Sequence, residues 1–332
     1  MEFHQMRKLV SRLAGVCLLM LAPTGFAQEH EESGRAQIVR EAVKIISGNA
    51  YKASSVDWQK AEATALEILA SDNSSAGLNA SVQYLVSRLE DGHSSFRPVE
   101  NGAQSPMASG FTPTPLAPRP IGERVESSGR FPIIRVNAWG GANADVARIA
   151  AATLRDVLNT TLDDDVCGLV LDFSTNSGGN MWPMLAGLLP IYAEGLLGAF
   201  EGADGKRVSI VSSGNSMALD GRPHFLNVPQ LPMPRFLPSH IAILIGPRTA
   251  SSGEIVALLL AAQANSRTFG AATAGRSSAN RVFTMSDGSA LVLTTAATID
   301  RNGRKHWEPI TPVVEAGDAL EAASSWLSGQ CE

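Results

Sequence analysis

The chain has little of what proteins that bind nucleic acids or metals require. Its 332 residues include only 3 cysteines and carry a formal net charge of −5. We find no basic stripe interleaved with aromatic residues, so nucleic acid is not an expected partner. Cysteine and histidine also lack the short spacings of metal-ligand sets. We therefore expect no metal site, and no motif in the chain calls for another cofactor.

A long apolar run occurs only near the N-terminus, at residues 13–21. Three basic residues precede it: Arg7, Lys8 and Arg12. Small residues follow it up to Ala27, at the positions that a signal peptidase reads. We predict a signal peptide over residues 1–27 and an exported protein, periplasmic or secreted, with no integral membrane segment after cleavage.

Two cysteines would remain in the mature chain. Cys167 lies in an apparent core strand and Cys331 lies next to the C-terminus. An oxidising compartment would allow a disulfide between them. A buried free thiol and a separate terminal thiol are the alternative.

The rest of the chain divides into three parts by composition. Residues 36–89 repeat apolar residues at helical spacing, which predicts a small helical N-terminal cap of three helices within residues 28–97. Residues 98–130 are rich in Pro, Gly and Ser and cannot carry a helix or a central strand. They are predicted to form a linker or an ordered but irregular crossing, which leaves residues 131–332 as the core.

Strands and helices alternate in this core. Strands are predicted at 133–136, 168–173, 208–211 and 241–245, helices at 144–158, from Trp182 and at 255–264, and a hairpin between 281–283 and 290–295. Residues 168–173 are apolar at almost every position, which is typical of a parallel strand buried on both faces. The alternation predicts an α/β fold.

The stretch Thr249-Ala250-Ser251-Ser252-Gly253-Glu254 joins a predicted strand to a predicted helix. A serine at such a junction presents its hydroxyl and the next backbone N–H at the positive end of a helix dipole, where the oxyanion of an acyl transfer would be stabilised. Ser251 is therefore the candidate nucleophile. The alternative is that Ser251 and Ser252 cap the helix and that Glu254 completes a capping box.

A second candidate segment, Asn176-Ser177-Gly178-Gly179-Asn180, follows the strand that ends at Asp172. Paired glycines let backbone approach a ligand closely, so the N–H of Gly178 or Gly179 could face that of Ser252 across a substrate carbonyl. The alternative is an ordinary strand-to-helix turn. A phosphate-binding loop is disfavoured because the dinucleotide glycine spacing and a Lys-Ser/Thr pair are both missing.

The candidate base is His93, in Asp91-Gly92-His93-Ser94, just past the third predicted helix. Histidine changes its charge near neutral pH and is the commonest general base. The alternative is a solvated histidine in a polar turn.

Four segments, in this order, resemble those of the C-terminal-processing (tail-specific) serine peptidases: 91–94, 172–180, 249–254 and 269–275. The first is similar to a segment of the tricorn-type peptidases and retinoid-binding repeats. The resemblance implies a core with the spiral α/β fold of the crotonase and Clp peptidase superfamily. Residues 98–130 are too short for the PDZ domain that many of these peptidases carry, because domains seldom fall below about 50 residues.

The resemblance also implies roles for individual residues. Ser251 matches the nucleophile. The backbone N–H groups of Ser252 and of Gly178 or Gly179 match the oxyanion donors. Glu254 matches a glutamate that supports the base in many members.

Arg276 falls where many relatives place a lysine base, and arginine cannot act as a base near neutral pH because its guanidinium stays charged. His93 is therefore the predicted general base, with Ser94 or Ser95 relaying to an acid. Glu308 is a candidate for that acid.

Two further points concern the same region. A Ser-Lys dyad would require Lys206 or Lys305 to reach the nucleophile, which we do not expect. Arg276 could instead hold a carboxylate of a small or C-terminal substrate. The alternative for Arg276 is a structural ion pair with Glu254.

Together these residues predict an exported serine hydrolase, specifically a peptidase that forms an acyl-enzyme on Ser251 and acts on a polypeptide or peptide substrate. One alternative is a non-catalytic ligand-binding module on the same fold. Another is an esterase or amidase that acts on small molecules.

Overall fold

The computed structural model describes residues 24–99, 120–126, 129–141, 143–162, 166–224, 226 and 231–332. The helices are α1 (Thr24–Asn49), α2 (Trp58–Ser71), α3 (Ser75–Ser87), α4 (Ala144–Thr161), α5 (Met181–Leu188), α6 (Ser252–Ala261) and α7 (Ala319–Gln330). Residues 1–23 of the predicted signal peptide lie outside the described part, and α1 begins before its predicted cleavage point. Among these described helices, none combines the length and apolar character needed to cross a membrane.

The strands form two sheets. They are β1 (Ser95–Arg97), β2 (Gly122–Val125), β3 (Ile133–Val136), β4 (Gly168–Asp172), β5 (Gly195–Gly202), β6 (Arg207–Ser213), β7 (Ser216–Leu219), β8 (Arg222–Pro223), β9 (His240–Ile245), β10 (Ser266–Gly270), β11 (Ala279–Thr284), β12 (Ala290–Asp300), β13 (Lys305–His306) and β14 (Val314–Glu315).

Helices α1 to α3 form the predicted N-terminal cap. The side chain of Asp57 caps α2 and that of Ser74 caps α3, by accepting backbone N–H groups of the first turn. The apolar faces of the three helices share a buried cluster that contains Ile46 and Leu85 and extends to Leu291 of β12. The predicted helices are therefore present, and they pack on the sheet that contains β12.

The first sheet has six strands in the order β14-β10-β9-β4-β3-β2. Neighbouring strands are parallel except β2, which is antiparallel to β3. In β4, Leu169 and Leu171 belong to one buried cluster and Val170 to another. Both faces of this sheet are covered, which explains why β4 is apolar at successive positions.

The second sheet has eight strands, in which β1-β12-β5-β6-β7-β8 form the main path and β11 and β13 also pair with β12. All of its pairings are antiparallel. The predicted hairpin corresponds to β11 and β12, but most of β5 to β8 was not predicted. The fold is therefore mixed α/β, and the predicted alternation of buried parallel strands describes only the first sheet.

Part of the predicted linker, residues 98–130, is a strand. β2 forms the edge of the parallel sheet, a place where only one side needs a pairing partner. β1, from the end of the predicted cap, pairs with β12 of the core. Residues 100–119 and 127–128 of the linker lie outside the described residues, and the domain boundaries remain predictions.

Cys167 and Cys331 form a disulfide. It connects the segment before β4 to the end of α7, whose Ala323 and Leu327 are buried in the same cluster as Val170 of β4. Of the two alternatives for these cysteines, the paired one is found. The disulfide fastens the C-terminal helix to the parallel sheet.

Candidate active site

The candidate nucleophile lies at the carboxyl end of the parallel sheet. β9 runs parallel to β4, so the turns that follow both strands emerge at the same edge. Ala250, after β9, donates its amide to the carbonyl of Asn176, after β4, at 3.0 Å. Ser251 and the turn that contains Gly178 are therefore neighbours.

Ser251 precedes α6 with φ +52° and ψ −124°. Residues with a Cβ rarely adopt a positive φ, and such strained positions cluster at functional sites. The backbone N–H of Ser251 is satisfied by Glu254 Oε2 at 3.0 Å, as a capping interaction would provide. Ser251 and Glu254 thus form the capping box of the alternative, but the Ser251 hydroxyl also lies 3.2 Å from Nε2 of His93, a contact that capping does not explain.

Glu254 holds the loops around the nucleophile together. Its Oε2 accepts the N–H of Ser251 and that of Arg276, at 3.0 and 2.7 Å. Its Oε1 accepts the Thr273 hydroxyl and the Gly275 N–H, at 2.5 and 2.9 Å. These contacts bind Glu254 to the loops on both sides of α6, and its support of the base stays a prediction.

His93 lies in a turn that is fixed at several points. The carboxylate of Asp91 accepts the amides of His93 and Ser94 at 3.0 and 2.7 Å, and the Ser94 hydroxyl donates to the same carboxylate at 2.6 Å. The Ser94 hydroxyl also accepts the Thr294 N–H of β12 at 2.9 Å. The cap therefore presents His93 to the core from a turn that is hydrogen-bonded to the antiparallel sheet.

Both ring nitrogens of His93 contact serine hydroxyls. Nε2 lies 3.2 Å from Ser251 Oγ, and Nδ1 lies 2.9 Å from Ser278 Oγ. If Nδ1 carries the proton and donates to Ser278, Nε2 has a lone pair that can accept the proton of Ser251. This is the geometry of a nucleophile and its base.

Ser278 was not among the predicted site residues. Its position just before β11 and 185 residues from His93 leaves no local signal in the sequence. The structure thus corrects the expected relay: Ser94 contacts Asp91 rather than the ring, and the Ser95 and Glu308 side chains are exposed. In the described part of the chain, the hydrogen-bond partner of Nδ1 is a neutral hydroxyl and not a carboxylate.

The pKa of His93 is lowered from 6.5 to about 4. Burial of the ring is the largest cause, because it disfavours the charged imidazolium. The positive charge of Arg276 lowers the pKa further, and the carboxylate of Asp91 acts in the opposite direction. The ring is therefore neutral at pH 7, as a base must be.

The glycine turn and the start of α6 supply the candidate oxyanion donors. The amide of Gly178 donates to the buried side chain of Asn176 at 2.9 Å, so it is engaged within the turn. The carbonyl of Gly179 accepts the Ser252 hydroxyl at 2.7 Å, which joins this turn to the first residue of α6. Of the two predicted glycine donors, Gly179 is the one compatible with these contacts.

The same turn leaves no room for side chains. A Cβ on Gly178 would lie 2.8 Å from the Cβ of Ser251, and one on Gly179 would lie 2.2 Å from the carbonyl oxygen of Trp139. Both residues also have positive φ angles, +103° and +110°. Glycine is therefore required for the backbone to approach the nucleophile this closely.

The lysines that a Ser-Lys dyad would need have other partners. Lys305 forms an ion pair with Glu201 and contacts the Tyr51 hydroxyl at 3.2 Å. Lys206 pairs with Asp204 at 2.6 Å. These contacts hold both amino groups to carboxylates of β5 and of the turn between β5 and β6.

Arg276 is exposed, and its backbone is anchored beside the nucleophile by Glu254. Within the described residues, its guanidinium takes part in no ion pair. The alternative of an Arg276–Glu254 ion pair is therefore wrong, since only the Arg276 amide reaches that carboxylate.

The sequence has recognisable relatives. Residues 131–316 match the sequence model of peptidase family S41. The chain is also 30% identical over 171 residues to the nisin-resistance protein of Lactococcus lactis subsp. lactis, a match that covers 49% of this chain. The chain spans about half the length of that relative, because the match covers 50% of the relative's residues.

Solved structures share the fold. A lipoprotein from Streptococcus agalactiae is similar with a TM-score of 0.72 and 23% identity, over 89% of this chain and 96% of that one. The photosystem II D1 C-terminal processing protease is similar with a TM-score of 0.56 and 14% identity, over 88% of this chain and 97% of that one.

Proposed function

This chain belongs to peptidase family S41, and we propose that it is an exported serine peptidase that cleaves polypeptide or peptide substrates through an acyl-enzyme on Ser251. The observation that carries the proposal is the contact of Ser251 Oγ with His93 Nε2 at 3.2 Å. The ring is partly buried and neutral at pH 7, which supports its role as the general base.

The proposed reaction proceeds in two halves. Oγ of Ser251 attacks the substrate carbonyl carbon while His93 Nε2 takes its proton, which gives a tetrahedral oxyanion. The imidazolium then donates that proton to the leaving nitrogen, the C–N bond breaks, and the acyl group stays on Ser251. Water attacks the acyl carbon with the same ring as its base, and the product acid and free Ser251 are released.

The oxyanion would be bound by two backbone N–H groups. We assign them to Ser252, at the positive end of the α6 dipole, and to Gly179. Ser278 would hold the ring in the tautomer that accepts at Nε2. Glu254 is a positioning residue in this scheme, because it contacts the backbones of Ser251 and Arg276 and not the substrate.

The division of the chain into domains and its location are also part of the proposal. The core, residues 131–332, would be of the crotonase/Clp-peptidase type, preceded by the signal peptide 1–27, the cap 28–97 and the linker 98–130. A lipoprotein with this fold and the Cys167–Cys331 disulfide suggest an extracytoplasmic location. Within that, we propose the periplasm or the exterior.

A fluorophosphonate probe tests the nucleophile. We expect labelling of the wild-type protein and of Ser71→Ala, a control at an exposed serine of α2, and none of Ser251→Ala. His93→Ala should lower hydrolysis by about 10²–10⁴-fold without unfolding the protein, since general-base help is of that size. Labelling that persists in Ser251→Ala would reject the assignment.

The two other functions make different predictions. A binding module, which Arg276 at the usual lysine position favours, would not react with the probe. An esterase or amidase would label but would turn over small acyl esters in preference to peptides. The relative named for nisin resistance makes nisin a first peptide to test.

A further inference from the structure

A partly exposed tryptophan that follows β13, Trp307, touches the helical cap at the turn after α1. Its ring lies 4.9 Å from the ring of Tyr51, measured between centroids, and the ammonium group of Lys52 lies 5.4 Å from the centre of the Trp307 ring. We propose that Trp307 and Lys52 are positioning residues that connect the turn of the base to the loop of the nucleophile and so set the distance between them. This inference rests on the proposed peptidase function and adds two residues to those on which the function depends.

On the side of the base, the connection runs through the ammonium group of Lys52. This group donates a hydrogen bond of 2.9 Å to the carbonyl of Glu90, through which the chain passes from α3 to His93. Glu90 has a φ of +47°, which a residue with a Cβ rarely adopts. The next residue is Asp91, whose carboxylate accepts the amides of His93 and Ser94. Lys52 therefore holds the strained residue from which the turn of the base starts.

On the side of the nucleophile, the connection runs through the segment that begins at Trp307. The Ile310 N–H donates to the Thr273 hydroxyl at 2.8 Å, and the Thr273 N–H donates to the Ile310 carbonyl at 3.2 Å. The same hydroxyl donates to Oε1 of Glu254, whose Oε2 accepts the amide of Ser251. Movement of this segment would therefore move the carboxylate that fixes the backbone of the nucleophile.

Tyr51 fixes the place at which Trp307 meets the cap. The backbone N–H of Tyr51 donates to the carbonyl of Thr294 in β12 at 2.8 Å, and its hydroxyl accepts the ammonium group of Lys305 at 3.2 Å. Lys305 belongs to β13 and lies two residues before Trp307. The Trp307 ring therefore cannot shift along the cap unless these two hydrogen bonds break.

The ammonium group of Lys52 joins the two sides because it serves both at once. A cation is attracted to the face of an aromatic ring, and a hydrogen bond from a charged donor is stronger than one between neutral groups. Loss of either side chain should let the base and the nucleophile move apart, which lowers kcat. KM should stay unchanged, because neither side chain belongs to the groups that we assign to substrate binding.

The test compares the wild type with Trp307→Ala, Trp307→Phe, Lys52→Met and the double variant of Trp307→Ala and Lys52→Met. Trp326→Ala is the matched control. Trp326 of α7 is also partly exposed and also has a cation over its ring, that of Arg267 at 5.3 Å. It packs against Phe269 of the parallel sheet instead of the cap. The control therefore removes a similar side chain from a different part of the protein.

Each protein is compared by its rate of labelling with a fluorophosphonate, and by kcat and KM for one peptide that the wild type cleaves. We expect Trp307→Ala and Lys52→Met each to lower the labelling rate and kcat by about 10-fold, a part of the about 10²-fold loss that a displacement of about 1 Å can cause. Trp307→Phe keeps an aromatic face and should retain most of the activity. Trp326→Ala should lower the melting temperature, as Trp307→Ala does, and keep the wild-type kcat.

The double variant tests whether the two side chains act as one connection. Its loss should be close to that of one single variant, because either substitution already breaks the connection. Losses that multiply would mean that the side chains act separately, which overturns the inference. If Trp307→Ala does not fold, Lys52→Met decides, since it keeps an unbranched side chain at a partly exposed position.

A wild-type kcat in Lys52→Met and Trp307→Ala, or an equal loss in Trp326→Ala, also overturns the inference and leaves the proposed peptidase function intact. If Ser251 of the wild type is not labelled and no peptide is cleaved, the proposed function fails and this inference fails with it.

Discussion

His93 and Ser251 are 158 residues apart in the sequence, yet their side chains meet with Nε2 and Oγ 3.2 Å apart. The histidine belongs to a turn after the helical cap, and the serine to the turn between β9 and α6. Each turn is held by a carboxylate, Asp91 in one and Glu254 in the other. The contact is thus made between two separately stiffened turns, and the following predictions depend on it.

The activity should tolerate acid to an unusual degree. His93 must be neutral to accept a proton, and its pKa is lowered to about 4. We expect kcat/KM to stay level from neutral pH down to about pH 5 and to fall tenfold per unit below about pH 4. Arg276→Gln removes the second cause of the lowered pKa, so its acid limb should move to higher pH. Far-UV circular dichroism at each pH distinguishes titration from unfolding, and an acid limb near 6.5 would contradict this prediction.

Ser278→Ala should lower kcat/KM by about 5-fold, because the ring loses the hydrogen bond, worth about 1 kcal/mol, that orients it. Ser278→Thr keeps the hydroxyl and should restore most of the activity. Nitrogen-15 NMR of the labelled ring should show a mixed tautomer in the alanine variant and mostly the Nδ1–H form in the wild type. Equal spectra would mean that Ser278 does not orient the base.

Gly178→Ala should abolish most activity. Its Cβ would lie 2.8 Å from the Cβ of Ser251, and displacing a nucleophile by about 1 Å can cost about 10²-fold in rate. Gly205→Ala is a matched control, because Gly205 also has a positive φ, +75°, but has nothing within 4 Å of the added Cβ. Both variants should lose stability, and only Gly178→Ala should lose activity; comparable activities in the two would refute the argument.

Glu254→Gln should destabilise the protein by about 2–4 kcal/mol. The fully buried carboxylate accepts four hydrogen bonds. In glutamine, the NH2 group would face hydrogen-bond donors, so some of these bonds would be lost. Thr273→Val removes a single one of these bonds, together with the bond that the Thr273 hydroxyl accepts from the Ile310 N–H, and should cost about 1–2 kcal/mol. Urea unfolding of the wild type and the two variants measures the free energy of unfolding of each. Equal losses in the two variants would mean that the carboxylate is not the common anchor.

Cys331→Ala should lower the free energy of unfolding by about 2–4 kcal/mol, the usual effect of losing a disulfide. The bond spans 164 residues and closes a loop that contains most of the core. A reductant should lower the melting temperature of the wild type and leave that of the variant unchanged. If the reductant affected both equally, it would be acting elsewhere than on this bond.

The sequence predicted the parallel sheet better than the antiparallel one, for a physical reason. β4 and β9 are covered on both faces and are therefore apolar at successive positions, a pattern visible without neighbours. β6 alternates between exposed and buried positions, and β7 and β8 are short. Their pairing depends on partners that the local pattern does not contain.

By itself, the sequence determined the residue types and the helices, strands and turns in which they lie. It put Ser251 between an apolar strand and a helix, placed paired glycines after the neighbouring strand, and set arginine where a lysine base would be expected. Tertiary structure alone decided the contacts: Ser278 on His93, Glu254 on the backbones of Gly275 and Arg276, and the Ser252 hydroxyl on the Gly179 carbonyl. Local patterns reflect which faces are buried and how each turn is capped, whereas these contacts join segments that come together only when both sheets and the cap have assembled.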